Sequence, residues 1–329
     1  MPFLGRKREE HLRPVLRQQE LDPNVGPTRP ARLLHTSPGS RPEAFGPVEW
    51  GLLVAVSFMW GSSFLFIAIG VDSFAPGVVA FARLALGAGT LALFPRARTR
   101  VEAEDWRRVA ALGVLWMAVP FVLFPLAEQR ISSALAGMLN GAVPLFSALF
   151  AAILLKKLPG RGQAAGLVLG FVGVVAIASP AVGESSFTAV GVLLILLAVF
   201  LYGISFNLAV PLQQRYGALP VLLRAQLVAL AAVTPVAAVQ LPQSQWSWPS
   251  ALAMLPLGVF GTGVALMAMT NLAGRAGAAR GSIAIYFLPL VAVILGVIFR
   301  DETIAALSLV GTALVLGGAW LTSRKEPSA

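Results

Sequence analysis

Long apolar runs fill this chain and leave few folds open to it. From Pro47 onward, apolar stretches of about 18–24 residues alternate with short polar breaks, and a helix needs ~20 such residues to cross the hydrocarbon core of a bilayer. Charges and turn residues mark the breaks, for example at 156–160 and 300–302. We therefore predict an all-α integral membrane protein with ten transmembrane helices, at 48–69, 76–94, 107–127, 132–155, 163–180, 187–210, 219–240, 250–272, 278–299 and 303–322.

Composition indicates that lipid rather than water surrounds most of the chain. Hydrophobic residues make up 57% of it and charged residues 12%, about half the ~25% that is usual in soluble domains. There is no cysteine, and the two histidines, His11 and His35, lie in the hydrophilic N-terminal segment. We therefore expect no metal and no cofactor. We also expect no nucleic-acid partner, because membrane orientation accounts better for the net charge of +10.

The two ends of the chain differ from the apolar part. Residues 1–46 are rich in Pro, Arg, Glu and Gln, and such a segment cannot bury enough apolar surface to offset its ordering entropy. It contains no apolar stretch typical of a signal peptide. We predict that 1–46 is a disordered cytoplasmic tail and that 324–329 is a short cytoplasmic C-terminal tail.

Positive charges are distributed unequally among the predicted loops. If the N-terminus is cytoplasmic, the cytoplasmic segments contain 21 Lys and Arg residues, and the outer loops contain two, Arg130 and Arg300. Cytoplasmic loops of membrane proteins carry the excess of Lys and Arg. We therefore predict a multi-pass protein of the plasma (inner) membrane with both termini in the cytoplasm.

The second half of the chain resembles the first when it is shifted by 145 residues. Leu-Gly-Val at 112–114 then aligns with the same residues at 257–259. Each half holds five predicted spans, and an odd number places the second half in the opposite orientation. The predicted domains are thus two five-helix inverted repeats, 47–180 and 187–323, an architecture typical of secondary transporters. Further aligned pairs are Pro144 with Pro289, Gly166 with Gly311, and Gly173 with Gly318.

Several motifs resemble the EamA-type members of the drug/metabolite transporter superfamily. The resemblance covers about 47–323 and implies a ten-helix bundle that moves small organic solutes, often by export, through a cavity between its halves. The family pattern usually has a Glu after the fourth span, where this sequence has Lys157. The motifs are Trp-Gly-Ser-Ser-Phe at 60–64, Ile-Ser-Ser-Ala-Leu-Ala-Gly at 131–137, Pro-Leu-Phe at 144–146, Pro-Leu at 289–290, and Asp-Glu at 301–302 before a Gly-rich last span.

Polar and aromatic residues near the middle of the predicted spans are candidates to line a solute site. Polarity at membrane depth is costly and normally faces the bundle interior, although helix–helix packing is the alternative role. Pro144 and Pro289 each free a backbone carbonyl, and matched helix breaks in two halves point to a transporter's binding site. The substrate-binding candidates are Trp60, Ser63, Arg83, Asn140, Tyr202, Ser205, Asn207, Thr262 and Tyr286.

Two charged residues raise separate questions. Arg83 lies near the centre of the second span, where an arginine costs roughly 2.5–3.5 kcal/mol. It either binds backbone carbonyls or contacts an anionic group on the substrate. The sequence places no carboxylate at the midplane. Glu128, at the end of the third span, is the acid to consider if transport is coupled to protons, and a facilitator fits at least as well.

These observations predict a secondary transporter that moves a small metabolite or amphipathic organic compound by alternating access, with export favoured by the resemblance. No catalytic constellation is present, so we expect no enzyme. The alternatives are a sugar-phosphate or nucleotide-sugar carrier and an integral membrane lipid-modifying enzyme. The expected partners are the small-molecule substrate and the lipid bilayer. Glycine rows favour packing within the monomer, with a homodimer as the minority alternative.

Overall fold

The structure, a computed structural model, describes residues 46–156, 159–276 and 283–323, which form helices and turns without a strand. Most of the predicted N-terminal tail, the predicted C-terminal tail, Lys157 and the start of the predicted span 278–299 lie outside the described residues. The helices are α1 (Pro47–Val71), α2 (Pro76–Ala92), α3 (106–128), α4 (133–155), α5 (Arg161–Glu184), α6 (Ser186–Tyr216), α7 (Ala218–Gln240), α8 (248–276), α9 (Ile283–Arg300) and α10 (Ala306–Ser323).

Each predicted span coincides with one of these helices. Seven helical segments are long and apolar enough to cross a membrane: Pro47–Val71, Ala103–Glu128, Ser133–Leu154, Arg161–Glu184, Ser186–Tyr216, Ala218–Gln243 and Trp248–Leu272. The other three predicted spans coincide with the shorter apolar helices Pro76–Ala92, Ala284–Arg300 and Ala306–Thr322. The all-helical, membrane-spanning class is therefore confirmed, and the count of ten crossings stays a prediction.

Three helices are irregular near their centres. α3 and α8 contain the π-helical stretches Gly113–Ala118 and Pro256–Val264, and such stretches occur frequently at functional sites. α4 is interrupted at 141–142, between Ser133–Asn140 and Val143–Leu155, so Pro144 occupies an early position of the second part, where its missing N–H is not needed. In contrast, α9 continues as a helix through Pro289.

α5 and α10 pack against each other through paired glycines. A Cβ on Gly173 would lie 2.6 Å from the carbonyl oxygen of Gly311, and a Cβ on Gly311 would lie 2.7 Å from that of Gly173. Gly166 and Gly318 are related in the same reciprocal way. The backbones of α5 and α10 thus touch within one chain, as small residues permit, and these glycines lend no support to a homodimer.

α6 extends beyond its predicted end at 210 to Tyr216. Its last turn carries Arg215, whose guanidinium pairs with Glu104 at 2.8 Å and with Asp105 at 2.9 Å in the α2–α3 connection, while the Tyr216 hydroxyl donates to Asp105. Polar contacts of this kind favour helix continuation outside the apolar layer, which hydropathy alone does not reveal.

Candidate functional site

A cavity of about 100 Å³ lies among seven helices that belong to both halves of the chain. Its walls come from α1, α2, α3 and α4 in the first half and from α6, α8 and α9 in the second. The irregular parts of α3, α4 and α8 all contribute to it. The lining residues are Trp60, Ser63, Phe64, Ile67, Arg83, Trp116, Met117, Phe121, Phe124, Asn140, Val143, Tyr202, Phe206, Gly261, Thr262, Leu266, Ile285 and Leu288.

Arg83 of α2 is the cationic side chain of this cavity and is 8% exposed. Its Nε donates a 2.8 Å hydrogen bond to Thr262 Oγ1, and its guanidinium carbon lies 4.0 Å from the centroid of the Phe121 ring, an arrangement that stabilises a buried cation. Within the described residues, the terminal nitrogens of Arg83 donate no hydrogen bond. They remain available to an anionic group in the cavity.

The π-helical stretch of α8 determines the position of Thr262. The Thr262 hydroxyl donates to the carbonyl of Leu257, five residues earlier, at 3.1 Å, while it accepts from Arg83. Next to it, Gly261 allows α1 to approach, because a Cβ there would lie 2.5 Å from Ser63 Oγ. The local widening of α8 thereby fixes the direction in which the Arg83 side chain points.

Aromatic rings form much of the remaining wall. Phe124 makes an edge contact with Phe64, with centroids 5.7 Å apart, and lies 5.8 Å from Tyr202. Phe206 stacks on Tyr202 at 6.2 Å and meets Trp116 edge-on at 5.4 Å. Rings offer a large apolar contact area with little conformational freedom to lose, so the cavity suits a solute with an apolar body.

Asn140 of α4 supplies another polar group to the cavity wall. It is the last residue of the first part of α4 and is 7% exposed, and its Oδ1 has no hydrogen-bond partner in the part of the chain that the structure describes. An unsatisfied buried acceptor costs about 1–3 kcal/mol. A hydrogen-bond donor on a bound solute is a group that would satisfy it.

Of the predicted substrate-binding residues, Trp60, Ser63, Arg83, Asn140, Tyr202 and Thr262 line the cavity, whereas Ser205, Asn207 and Tyr286 do not. Asn207 Nδ2 donates to the carbonyl of Ser147 at 2.9 Å and so connects α6 to α4. The Tyr286 hydroxyl donates to the carbonyl of Ala319 at 3.0 Å and connects α9 to α10. Ser205 is fully buried with an unpartnered hydroxyl.

The predicted helix-breaking prolines also lie outside the cavity wall. Pro289 packs against the interruption of α4, because a Cβ on Gly141 would lie 2.8 Å from Pro289 Cγ. Pro144 begins the second part of α4 just beyond that interruption. The two prolines therefore shape the helices behind Asn140 rather than contact the cavity.

Gln226 of α7 is a buried polar residue that the sequence analysis missed. It is fully buried, and neither the nitrogen nor the oxygen of its amide group has a hydrogen-bond partner within the described ranges. A Cβ on Gly87 would lie 2.9 Å from Gln226 Oε1 and 2.7 Å from Thr262 Cγ2, so the amide lies beside the threonine that holds Arg83. Gln226 is a polar residue within the predicted span 219–240, so the criterion used to choose the other candidates applies to it as well.

A second, larger space of about 460 Å³ lies at the end of α3. We name it the outer cleft after the side on which the predicted topology places it. Glu128 lines it and is 8% exposed, and neither of its carboxyl oxygens has a hydrogen-bond partner among the described residues. Phe124, one helical turn earlier, lines the central cavity instead. The other charged residues of the outer cleft are Arg130, Glu184, Asp301 and Glu302.

Glu302 is bound tightly to the start of α4. Its Oε1 accepts from the backbone N–H and the hydroxyl of Ser133, and its Oε2 accepts from the N–H of Ala134, each at 2.8 Å. A carboxylate there satisfies free N–H groups and complements the helix dipole. This contact gives a physical role to the Glu that follows α9.

The sequence matches the EamA-like transporter family over residues 50–179 and again over 189–324. The chain belongs to that family. It is therefore a membrane transporter rather than an enzyme, and the alternative of a lipid-modifying enzyme is excluded. It is also a multi-pass membrane protein, because its apolar helices accompany that family membership.

Curated relatives carry transporter names. An uncharacterized transporter of Bacillus subtilis (strain 168), YdfC, is 26% identical over 81% of this chain and 88% of its own length. A protein of Streptantibioticus cattleyicolor named "Probable terminal-alkyne amino-acid exporter" is 26% identical over 84% of this chain and 93% of its own. A solved crystal structure shares the fold with a TM-score of 0.56 and 17% identity, over 83% of this chain and 95% of that one.

Proposed function

We propose that this chain is a secondary transporter that carries a small organic solute with an anionic group and an apolar body across the plasma membrane. The observation that carries this proposal is the position of Arg83, whose terminal nitrogens remain available in a cavity lined by aromatic rings. A buried arginine is costly at membrane depth. Binding an anionic group would offset that cost, while the rings would contact the apolar body.

Alternating access is the proposed mechanism, with the two halves acting as inverted repeats. Three features support it: the family matches the chain in two successive segments, the cavity draws walls from both, and π-helical stretches lie in α3 and α8, which the 145-residue shift aligns. Transporters built from two such halves expose a central site to each side in turn.

Ion pairs connect the two halves at both ends of the bundle. Arg300 binds Asp72 through two contacts, at 2.6 Å and 3.0 Å, and Arg215 binds Asp105 at the other end. In the proposed orientation the first pair is outside and the second is cytoplasmic. Each exposure of the central site would require one of the two ends to separate.

Export is the proposed direction and the cytoplasm the proposed location of both termini. The excess of Lys and Arg in the cytoplasmic segments supports the orientation. The relative named as an amino-acid exporter supports the direction and a solute of amino-acid size. Asn140 Oδ1 is the acceptor that would bind an ammonium or hydroxyl group on such a solute.

A carrier of sugar phosphates or nucleotide sugars is the weaker candidate. A dianionic phosphate calls for several cationic groups, and Arg83 is the one Lys or Arg among the residues that line the described cavity. Arg224, the other arginine within a predicted span, donates to the carbonyls of Ala97 and Arg98 at the proposed cytoplasmic end. Its position does not allow it to share an anion with Arg83.

An untargeted comparison of metabolites tests the proposal. Cells that lack this protein should retain a small anionic or zwitterionic compound, and cells that overproduce it should release the same compound into the medium. Cells that overproduce the Arg83→Gln variant at equal membrane levels are the matched control and should not release it. Identical metabolite profiles in all strains would contradict the proposed function.

A further inference from the structure

Glu128 is a buried carboxyl group without a partner, and the binding of an anion at Arg83 does not explain it. The residue is 8% exposed, neither carboxyl oxygen has a hydrogen-bond partner among the residues that the structure describes, and it lines the outer cleft. An ionised carboxylate in such a place is costly unless it is paired. The group therefore needs a positive partner that the described residues do not supply by direct contact, and a proton is the smallest one.

The charged groups around Glu128 are few and belong to identifiable elements. Glu302 of the α9–α10 turn lines the same cleft, two residues after Arg300, which ends α9. Arg83 of α2 lies against Phe121, which is two helical turns before Glu128 in α3. The described cleft also contains Arg130 of the α3–α4 turn, Glu184 at the end of α5 and Asp301. The titratable group that α6 brings to this region is Tyr202, which packs on Phe124.

Two of these neighbours are already bound by other groups of the protein. The Glu302 carboxylate accepts three hydrogen bonds at the start of α4, and Arg300 is paired with Asp72. Arg83 differs, because its contacts are with the uncharged Thr262 and Phe121. Its positive charge is therefore the one in this set that a bound solute can cancel.

Cancelling that charge affects Glu128 in a defined direction. A positive charge nearby favours the ionised carboxylate, so removing its effect favours the protonated form. An anion at Arg83 and a proton at Glu128 consequently favour each other's binding, since linkage between two sites is reciprocal.

We propose that Glu128 takes up a proton from the outer cleft when an anionic solute binds at Arg83. This inference rests on the proposed function and adds a proton that binds together with the solute. Hydronium in the cleft water transfers its proton to a Glu128 oxygen and leaves water. When the solute leaves Arg83, the carboxyl returns the proton to water, and no bond of the solute changes. For a solute with one negative charge, the joint binding of solute and proton leaves the net charge of the protein unchanged.

The first test detects the proton without any solute. Infrared difference spectra of the full-length protein in detergent, recorded as the pH is varied, should show the carbonyl band of a protonated carboxylic acid. The Glu128→Gln variant should lose the part of that band that comes from Glu128. The Glu184→Gln variant, which alters an exposed carboxylate of the same cleft, should retain it. A titration identical in wild type and Glu128→Gln would overturn the proposal.

The second test uses benzoate, a flat carboxylate that matches an aromatic cavity with one guanidinium. Benzoate is titrated calorimetrically into the detergent-solubilised protein, in phosphate and in Tris buffer, at the pH where the infrared band is half-maximal. Because the heats of buffer ionisation differ, the two titrations report proton uptake, expected to be roughly half a proton per benzoate. Glu128→Gln should bind benzoate without this uptake, and Glu184→Gln should behave like wild type.

The remaining outcomes separate the two proposals. Equal heats in both buffers, or proton release instead of uptake, would overturn the coupling and leave the transport function standing. Absence of benzoate binding to the wild type would remove the anion site at Arg83 and with it this proposal. The metabolite comparison between strains would still decide whether the protein transports a solute.

Discussion

Lys156 and Asp301, which are 145 residues apart, share a left-handed backbone with φ angles of 50° and 51°. Among the described residues they are the two non-glycine positions with positive φ, a conformation uncommon outside glycine. Lys156 directly follows α4, and Asp301 directly follows α9. The 145-residue shift aligns these two helices, so the shared conformation supports the proposed repeat at the level of backbone geometry.

The proposed orientation can be tested with cysteines, since the natural chain has none. Ser185→Cys, in an exposed turn between α5 and α6, should react in intact cells with a reagent that cannot cross membranes. Thr99→Cys, in an exposed turn between α2 and α3, should react only after the membrane is opened. Mass-tag shifts on gels measure both reactions, and labelling of Thr99→Cys in intact cells would reverse the orientation.

Substitution of Arg83 should reduce transport more than substitution of the other intramembrane arginine. Arg83→Gln removes the charge that would bind an anionic group, so we expect transport of a carboxylate solute to fall about 10- to 100-fold. Arg83→Lys keeps the charge but loses the bond to Thr262, and it should retain partial activity. Arg224→Gln, altered outside the cavity, is the matched control. All rates are compared at equal amounts of protein in the membrane.

Packing of α5 against α10 should depend on its paired glycines. Gly173→Ala and Gly311→Ala each place a methyl group within 2.7 Å of backbone atoms of the facing helix, and overpacking of this kind costs about 1–3 kcal/mol. Each variant should unfold at a lower temperature in detergent. Gly183→Ala, in the same helix α5 but with no atom within 4 Å of its Cβ position, should be as stable as the wild type. Equal melting temperatures for all three would show that the helices do not touch there.

Glu302→Gln should destabilise the start of α4. The amide keeps the shape of the side chain but has one acceptor oxygen, whereas the carboxylate offers two to the donors of Ser133 and Ala134. The substitution also removes a negative charge at a helix N-terminus. A loss of about 0.5–2 kcal/mol is expected, measured as a shift in thermal unfolding. Asp301→Asn changes the neighbouring carboxyl, which is exposed, and should leave stability unchanged.

From the sequence, the positions of the helices could be predicted more reliably than which face of each helix lies toward the cavity. Continuous apolar runs mark where a helix lies, and each predicted span coincides with one. They do not mark which side faces lipid, because lipid and protein interior are both apolar. Trp60 and Arg83 therefore lie in the cavity wall, whereas Tyr286 and Asn207, chosen by the same criterion, bind neighbouring helices instead.

Other parts of the site could not be derived from local sequence. The contact between Glu302 and Ser133 joins residues 169 positions apart, and spacing along the chain gives no indication of it. Likewise, Phe121 is one of many aromatic residues in apolar runs, and only the folded position of Arg83 shows that the ring holds a cation. Gln226, in contrast, is recognisable from the sequence, because it is a polar residue within an apolar span.

The hydrogen bonds of Glu302 also limit how the molecule can move. The three bonds join the first turn of α4 to the α9–α10 turn, so these two segments, which belong to different halves, separate only if all three bonds break. The nearby contact between Phe64 and Phe124 is a contact of two apolar rings, which form no hydrogen bond with each other. A path from the central cavity to the outer cleft would therefore open where the Phe64 and Phe124 rings slide apart beside α3. The contact of Glu302 with the start of α4 would stay in place as the hinge.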